Sequence, residues 1–212
     1  IEIFESGSDY VFEIGLTPNR GDATSHLGAA RDLKGFFKRP IEPRQSKSLK
    51  TEIDRPIEVT VEKNEACPRY SGLTIRGLKI GPSPDWLQWR LKAVGLSPIN
   101  NVVDITNYVM MSLGQPMHAF DADAITGNKI TVKTLPAGTK FTTLDEVERK
   151  LSDKDLMICN DQSGMCIAGV FGGTQSGVKD STTSIFLESA HFSADWVRGT
   201  AMRHGLSTDA SF

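Results

Sequence analysis

Four places in the chain carry side chains, or missing side chains, that could do chemistry: His118, Glu188, the Gly172-Gly173 pair, and Thr208 with Ala210. His118 follows an abrupt Gly114-Gln115-Pro116 stop within SPINNVVDITNYVMMSLGQPMHAFD (Ser97 to Asp121), and a carboxylate, Asp121, lies just beyond it. An imidazole with an unperturbed pKa of about 6.5 can act as a base or position a water; the same residue can equally cap a helix or fill a core. Glu188 closes the apolar run Ile185-Phe186-Leu187. A one-residue slip would leave it in solvent, the default for glutamate. The small Ser189 and Ala190 that follow suit a buried acceptor instead. Gly172 and Gly173 can form a tight strand turn, and bare backbone there would also let a substrate approach and point N–H groups at a carbonyl oxygen. Thr208 and Ala210 finish a turn after Gly205.

The elements that must hold these residues follow from the spacing of apolar positions. Ile99, Val102, Val103, Ile105, Tyr108, Val109 and Met110 recur at three and four, which predicts a helix with one wide apolar stripe. Gly114 suits the left-handed residue after its last turn, Pro116 blocks continuation, and His118 to Asp121 is expected as a tight turn. Upstream, a strand is predicted around Tyr10 to Ile14 and a helix over Thr24 to Phe37. Ser83-Pro84-Asp85 starts a helix whose buried face is expected to be Trp86, Trp89, Ala93 and Val94, ending at Gly95. Strands are predicted at Ile57–Val61, Tyr70–Ile75, Lys129–Thr134, Lys140–Thr143, Asp155–Cys159, Met165–Phe171 and Ser184–Leu187. Ser193 caps a final helix, Ala194 to Arg203. Helices gathered around a run of strands, with no internal repeat, indicate an α+β fold: a layered β-sheet or β-sandwich core with packed helices.

Composition excludes more than it assigns. The 212 residues, 39% hydrophobic and 24% charged, fit a globular chain with one sizeable domain and a smaller piece. No apolar run is long enough to cross a membrane, and no signal-peptide pattern opens the chain. Three scattered cysteines, Cys67, Cys159 and Cys166, point to a reducing cytosol and away from a structural zinc. A net charge of −2 disfavours a nucleic-acid binder over its whole surface. A basic run from Arg31 to Lys50 leaves room for a local phosphate-facing edge, although such runs are usually solvated. No phosphate loop, nucleophile elbow or zinc-binding HExxH helix is present, and no ATP or amino-acid activation site is visible.

Several stretches together resemble the beta subunit of bacterial phenylalanyl-tRNA synthetase. They are LTPNRGDATSHLGAARDL (Leu16 to Leu33), CPRYSGLTIRGLKIGPSPDWLQWRL (Cys67 to Leu91), the His118 segment, MCIAGVFGGTQSGV (Met165 to Val178), FLESAHF (Phe186 to Phe192) and RHGLSTDAS (Arg203 to Ser211). The resemblance implies residues 1–41 as a remnant of a preceding domain, 42–55 as a linker, and 56–212 as a domain that hydrolyses mischarged tRNA. On the same basis His118 lines the pocket and helps place the attacking water or the tRNA end. Glu188 recognises the substrate side chain, Gly172 and Gly173 let the substrate approach, and Thr208 and Ala210 form a small-residue wall.

The implied reaction is hydrolysis of the ester joining tyrosine to tRNA(Phe), in the cytoplasm. The implied partners are tRNA(Phe) and the alpha subunit of an alpha2beta2 assembly, with no membrane. No cofactor is implied in this piece; ATP and Mg2+ belong to a synthetic site elsewhere. An apolar synthetic pocket rejects an added hydroxyl only weakly, by on the order of a hundredfold, so a second site that selects tyrosine has a physical reason to exist. A carboxylate at Glu188 would accept the tyrosyl phenol's hydrogen bond, and phenylalanine would leave it unpaired. The alternative is a non-catalytic tRNA-binding or subunit-packing module, although neither an aromatic-rich RNA-binding strand nor a GXXG loop between helices is present.

Overall fold

In the computed structural model, residues 1–7, 9–17, 19–42, 48, 51, 56–208 and 210–211 are described. Most of the expected linker 42–55 lies outside them, as do Arg44, Lys47 and Lys50 of the basic run. The chain forms two compact units: Ile1–Glu52 with Gly81–Met117, and Ile53–Ile80 with His118–Phe212. Residues 81–117 thus group with the N-terminal segment, whereas the sequence division assigned them to 56–212.

The first unit holds a hairpin, β1 (Glu2–Ser6) and β2 (Asp9–Glu13), and three helices, α1 (His26–Phe37), α2 (Asp85–Ala93) and α3 (Asn101–Leu113). Helix α3 begins where the Asn100 side chain accepts from the Val102 and Val103 N–H groups, and ends at Gly114 with φ of 78°. The sequence pattern misjudged which faces are buried. Trp86 and Trp89 are 55% and 43% exposed, while Leu87 and Leu91 are buried. In α3 the buried positions are Val102, Asp104 and Thr106, with Ile99 and Ile105 exposed. The reason is polar. Asp104 is fully buried because it accepts from Ser83 Oγ (2.6 Å) and the Ile99 N–H (2.8 Å), tying the starts of α2 and α3 together.

Among its described residues, the second unit holds ten strands and α4 (Ala194–His204). The strands are β3 (Glu58–Val61), β4 (Arg69–Arg76), β5 (His118–Asp121), β6 (Lys129–Thr134), β7 (Lys140–Thr142), β8 (Glu148–Lys150), β9 (Leu156–Cys159), β10 (Gly164–Ile167), β11 (Phe171–Gly172) and β12 (Ser184–His191). A five-stranded sheet runs β11-β10-β9-β6-β3, antiparallel except for the β3–β6 pair, and a three-stranded antiparallel sheet runs β4-β12-β5. Strands β7 and β8 make a separate ribbon.

Alternation along the strands divides the apolar residues between two cores. Ile130, Val132, Leu156 and Ile158 from the larger sheet share one core with Phe120 and Phe186 from the smaller. That is the sheet-on-sheet layering expected of an α+β sandwich. Met157, Cys159 and Ile167 point the other way, into a second core with Ala201 of α4. All three cysteines are buried and free. Among the described residues, no helix is long and apolar enough to cross a membrane.

Candidate functional site

The HAFD segment is strand β5 rather than a turn, and this decides how the site is built. In the β5–β12 ladder, Glu188 lies directly opposite His118 and Phe186 opposite Phe120. Directly opposed residues share one face, so the imidazole and the carboxyl stand side by side on the surface that carries Phe120 and Phe186 into the core. Glu188 is 5% exposed. The reading of Glu188 as a buried acceptor therefore fits the fold, and the solvent-facing slip does not.

Alternation also separates His118 from Asp121. Asp121 sits on the opposite face, where its Oδ2 accepts from Thr182 Oγ1 (2.7 Å) and its Oδ1 from the Asp123 N–H (3.0 Å). It ties the end of β5 to the turn before β12 and does not pair with the imidazole.

His118 packs edge-on against Phe120, with ring centroids 4.5 Å apart. Its Nε2 is sealed from solvent and has no hydrogen-bond partner among the described residues. Desolvation drives its pKa down to about 4, so the ring is neutral at physiological pH. This departs from the unperturbed value assumed from sequence. A buried ring nitrogen without a partner costs free energy unless a ligand or a water supplies one.

Gly172 is pressed against this imidazole. A Cβ built there would lie 3.0 Å from His118 Cε1 and 2.9 Å from Leu144 Cδ1. Its φ is not positive, so the glycine serves close approach rather than backbone strain. Gly173 faces elsewhere. Its Cβ would meet Met165 O and the Phe141 ring, each at 2.7 Å, and its N–H already donates to Met165 O (2.9 Å). That N–H is spent on the β10 backbone and is not free for a substrate carbonyl. Gly173 instead lines a separate cleft of about 600 Å³ with Lys133, Phe141, Asn160 and Ser176, which contains neither His118 nor Glu188.

Thr208 reaches the neighbourhood through its side chain. Thr208 Oγ1 donates to the carbonyl of Val170 (3.1 Å), two residues before Gly172, and Ala210 beyond it is half-buried. Asp209 lies outside the described residues. The segment is held at its root by a buried ion pair. Asp155 is fully buried and receives Arg203 Nε and one Nη (2.9 and 2.7 Å) on Oδ1. Its Oδ2 meets His204 Nε2 at 2.7 Å and accepts from the Ser152 N–H. Desolvation alone would raise the Asp155 pKa, but the Ser152 N–H, His204 and Arg203 together hold it below the ordinary value.

Tyr70, which the sequence reading treated only as part of a strand, is the residue it missed. Tyr70 Oη donates to Glu188 Oε2 at 3.2 Å. On β4 it opposes Ala190, and Gly72 opposes Glu188, so Tyr70 reaches Glu188 diagonally. The Phe186 ring occupies the space a Gly72 side chain would need. Desolvation pushes the Glu188 pKa up to about 8, with the Tyr70 phenol pulling modestly the other way. The carboxyl is therefore largely protonated at neutral pH, and one of its oxygens is already paired, unlike the bare carboxylate expected from sequence. Among the described residues, no three His, Cys, Asp or Glu side chains gather as a metal-binding set.

The B3/4 domain profile matches residues 66–212. A phenylalanine–tRNA ligase beta subunit of Bacteroides thetaiotaomicron is 57% identical over 97% of this chain, and one of Porphyromonas gingivalis 55% identical over 100%. In each case the chain spans only about a quarter, 26%, of the relative's length. A crystal structure of an N-terminal fragment of the Pyrococcus horikoshii phenylalanyl-tRNA synthetase beta subunit aligns with 16% identity and a TM-score of 0.48. That alignment covers 96% of this chain and 63% of the other, and is too distant to argue from.

Proposed function

The chain belongs to the B3/4 domain family, and on that premise we propose that it is the editing segment of a phenylalanine–tRNA ligase beta subunit, hydrolysing the ester between tyrosine and tRNA(Phe). The observation that carries this reading is the directly opposed pair of buried polar groups, His118 and Glu188, with Gly172 bare against the imidazole. Such a pair in a dry interior is costly unless a ligand completes it.

The substrate's tyrosyl ring enters toward Glu188, and its phenol hydrogen-bonds the carboxyl. Phenylalanine offers no such partner and loses the pairing, which favours hydrolysis of the wrong ester. The aminoacyl ester is already activated, so a protein nucleophile is not required. Water held near His118 Nε2, with the neighbouring ribose hydroxyl, suffices if both are positioned. With its pKa near 4, His118 is present as neutral imidazole; it orients water or the ribose through Nε2 and is a weak base. Thr208, anchored to the Val170 carbonyl, and Ala210 beyond it form the small-residue wall that admits an aromatic ring.

Adenylation with ATP and Mg2+, the alpha-subunit partner, the alpha2beta2 assembly and the cytoplasmic setting belong to the same proposal, as does the absence of a cofactor from this segment. The test is deacylation of Tyr-tRNA and Phe-tRNA, both carrying the phenylalanine anticodon, by the whole synthetase containing this chain. Preferential loss of tyrosine supports the reading. Equal rates, or no hydrolysis, would leave the rival module that binds tRNA or packs against a subunit without catalysing.

A further inference from the structure

Glu188 accepts a hydrogen bond from the same functional group that the proposed substrate carries, a phenol. Tyr70 Oη donates to Glu188 Oε2, and among the described residues Oε1 accepts no hydrogen bond. Tyr70 packs against the core that holds Phe120 and Phe186, so its ring is fixed by neighbours rather than free to swing away. The Phe186 ring over Gly72 closes the lane directly across from Glu188 on the β4 side. The carboxyl is thus pinned by one oxygen, with the other left for a second donor.

We propose that Tyr70 is a positioning residue for specificity: its phenol holds Glu188 by Oε2 so that Oε1 is presented to the phenol of a tyrosyl substrate. This rests on the editing reading above and deepens it. The selected species is then a carboxyl bridged by two phenols, one from the protein and one from the ligand. A phenylalanyl ester leaves the bridge half made. Tyr70 also favours the ionised, better-accepting form of the carboxyl, because it can only donate to that form. The titratable groups facing Glu188 are Tyr70 on β4, Cys67 just before it, His118 on β5 and Cys166 on β10. Burial raises both thiols and lowers the imidazole, so all of them are neutral at pH 7 and none supplies a competing charge.

The test uses the whole synthetase and Tyr70→Phe, which removes one oxygen and keeps the packed ring. In the wild type, the ratio of Tyr-tRNA to Phe-tRNA hydrolysis rises with pH through about 8, as Glu188 ionises. In Tyr70→Phe that rise moves up by about one pH unit, so the ratio near pH 7 falls about tenfold, while phenylalanine charging is unchanged. Independently of activity, a 13C titration of labelled glutamate, with Glu188 assigned by its loss in Glu188→Gln, shows the same upward displacement. An unshifted Glu188 titration in a folded Tyr70→Phe protein overturns the role of Tyr70, whatever the hydrolysis data. A wild type that fails to prefer Tyr-tRNA overturns the editing reading and this inference with it. Should Tyr70→Phe not fold, replacement of tyrosine by a more acidic fluorotyrosine gives the readout: the Glu188 midpoint must move down, and an unmoved midpoint overturns the proposal.

Discussion

His118 and Glu188 are direct cross-strand partners in the β5–β12 ladder, and nothing in the local sequence of either announces the other. Their pairing turns two unremarkable polar residues into one buried constellation, with Phe120 and Phe186 as the next pair along the same face.

That geometry makes Gly172 the most sensitive small residue of the site. Gly172→Ala places a methyl group 3.0 Å from the imidazole and 2.9 Å from Leu144, inside ordinary van der Waals contact with both. The expected cost is about 1–3 kcal/mol in stability and at least tenfold in Tyr-tRNA hydrolysis, read by thermal melting and single-turnover deacylation. Gly173→Ala meets Met165 O instead, and is expected to damage folding before specificity.

His118 is expected to act without gaining or losing a proton in the working range. Its pKa near 4 means that the ratio of wild-type to His118→Gln hydrolysis rates stays constant from about pH 5.5 to 8. His118→Gln keeps most of the activity, and His118→Ala loses more. A ratio that collapses as pH falls through about 6.5 would make the imidazole a general base with an ordinary pKa.

Glu188 is expected to leave a mark on stability as well. Its folded pKa of about 8 lies above its ordinary 4.5, so between those values the folded chain keeps a proton that the unfolded chain has released. Stability attributable to Glu188 is complete below about pH 4.5 and is lost as pH rises to about 8. Glu188→Gln removes the titration. It is expected to melt several degrees above wild type at pH 8.5 and close to it at pH 4, in paired calorimetric scans.

Asp155 is expected to be the costliest carboxylate to remove. Asp155→Ala leaves the Arg203 and His204 groups unpaired at the end of α4 and should cost about 3–5 kcal/mol. Because its pKa is held down in the fold, the stability it supplies is present above its ordinary pKa and is lost as pH falls into the acid range. Chemical denaturation at pH 7 and pH 3 should therefore show a large mutant effect at the first pH and a smaller one at the second.

The parts of this structure that sequence could reveal are those written locally. Asn100 and Gly114 bracket α3 through their own side chain and φ, and Gly205 ends α4 with φ of 60°, so both helices were legible, although the Ser193 side chain makes no capping bond. Ser184 to Leu187 reads as a strand because its short apolar run is buried at both Ile185 and Phe186, and Glu188 shares the Phe186 face. What was not legible depends on partners far along the chain. HAFD reads as a turn because four residues after a helix stop carry no periodicity; it is a strand only because β12 pairs with it. Trp86 and Trp89 look like core, but the buried stripe of α2 is set by Leu87 and Leu91 and by the Asp104 tie. Tyr70 could have been found only by knowing that β4 lies on the other side of β12, since its bond to Glu188 spans the sheet. Strands β1 and β8 escaped because each is short and largely exposed, with no apolar alternation to betray it.

The β5–β12 ladder has a consequence for the newly made protein. His118 and Glu188 are separated by 188 − 118 = 70 positions, and β12 is the central strand that joins β4 to β5. A ribosome that has already released His118 must still deliver the rest of β12 before the imidazole has a carboxyl opposite it. A chain that ends before β12 therefore carries His118 and Tyr70 without the carboxyl that lies between them, and the constellation is complete only when β12 closes the sheet.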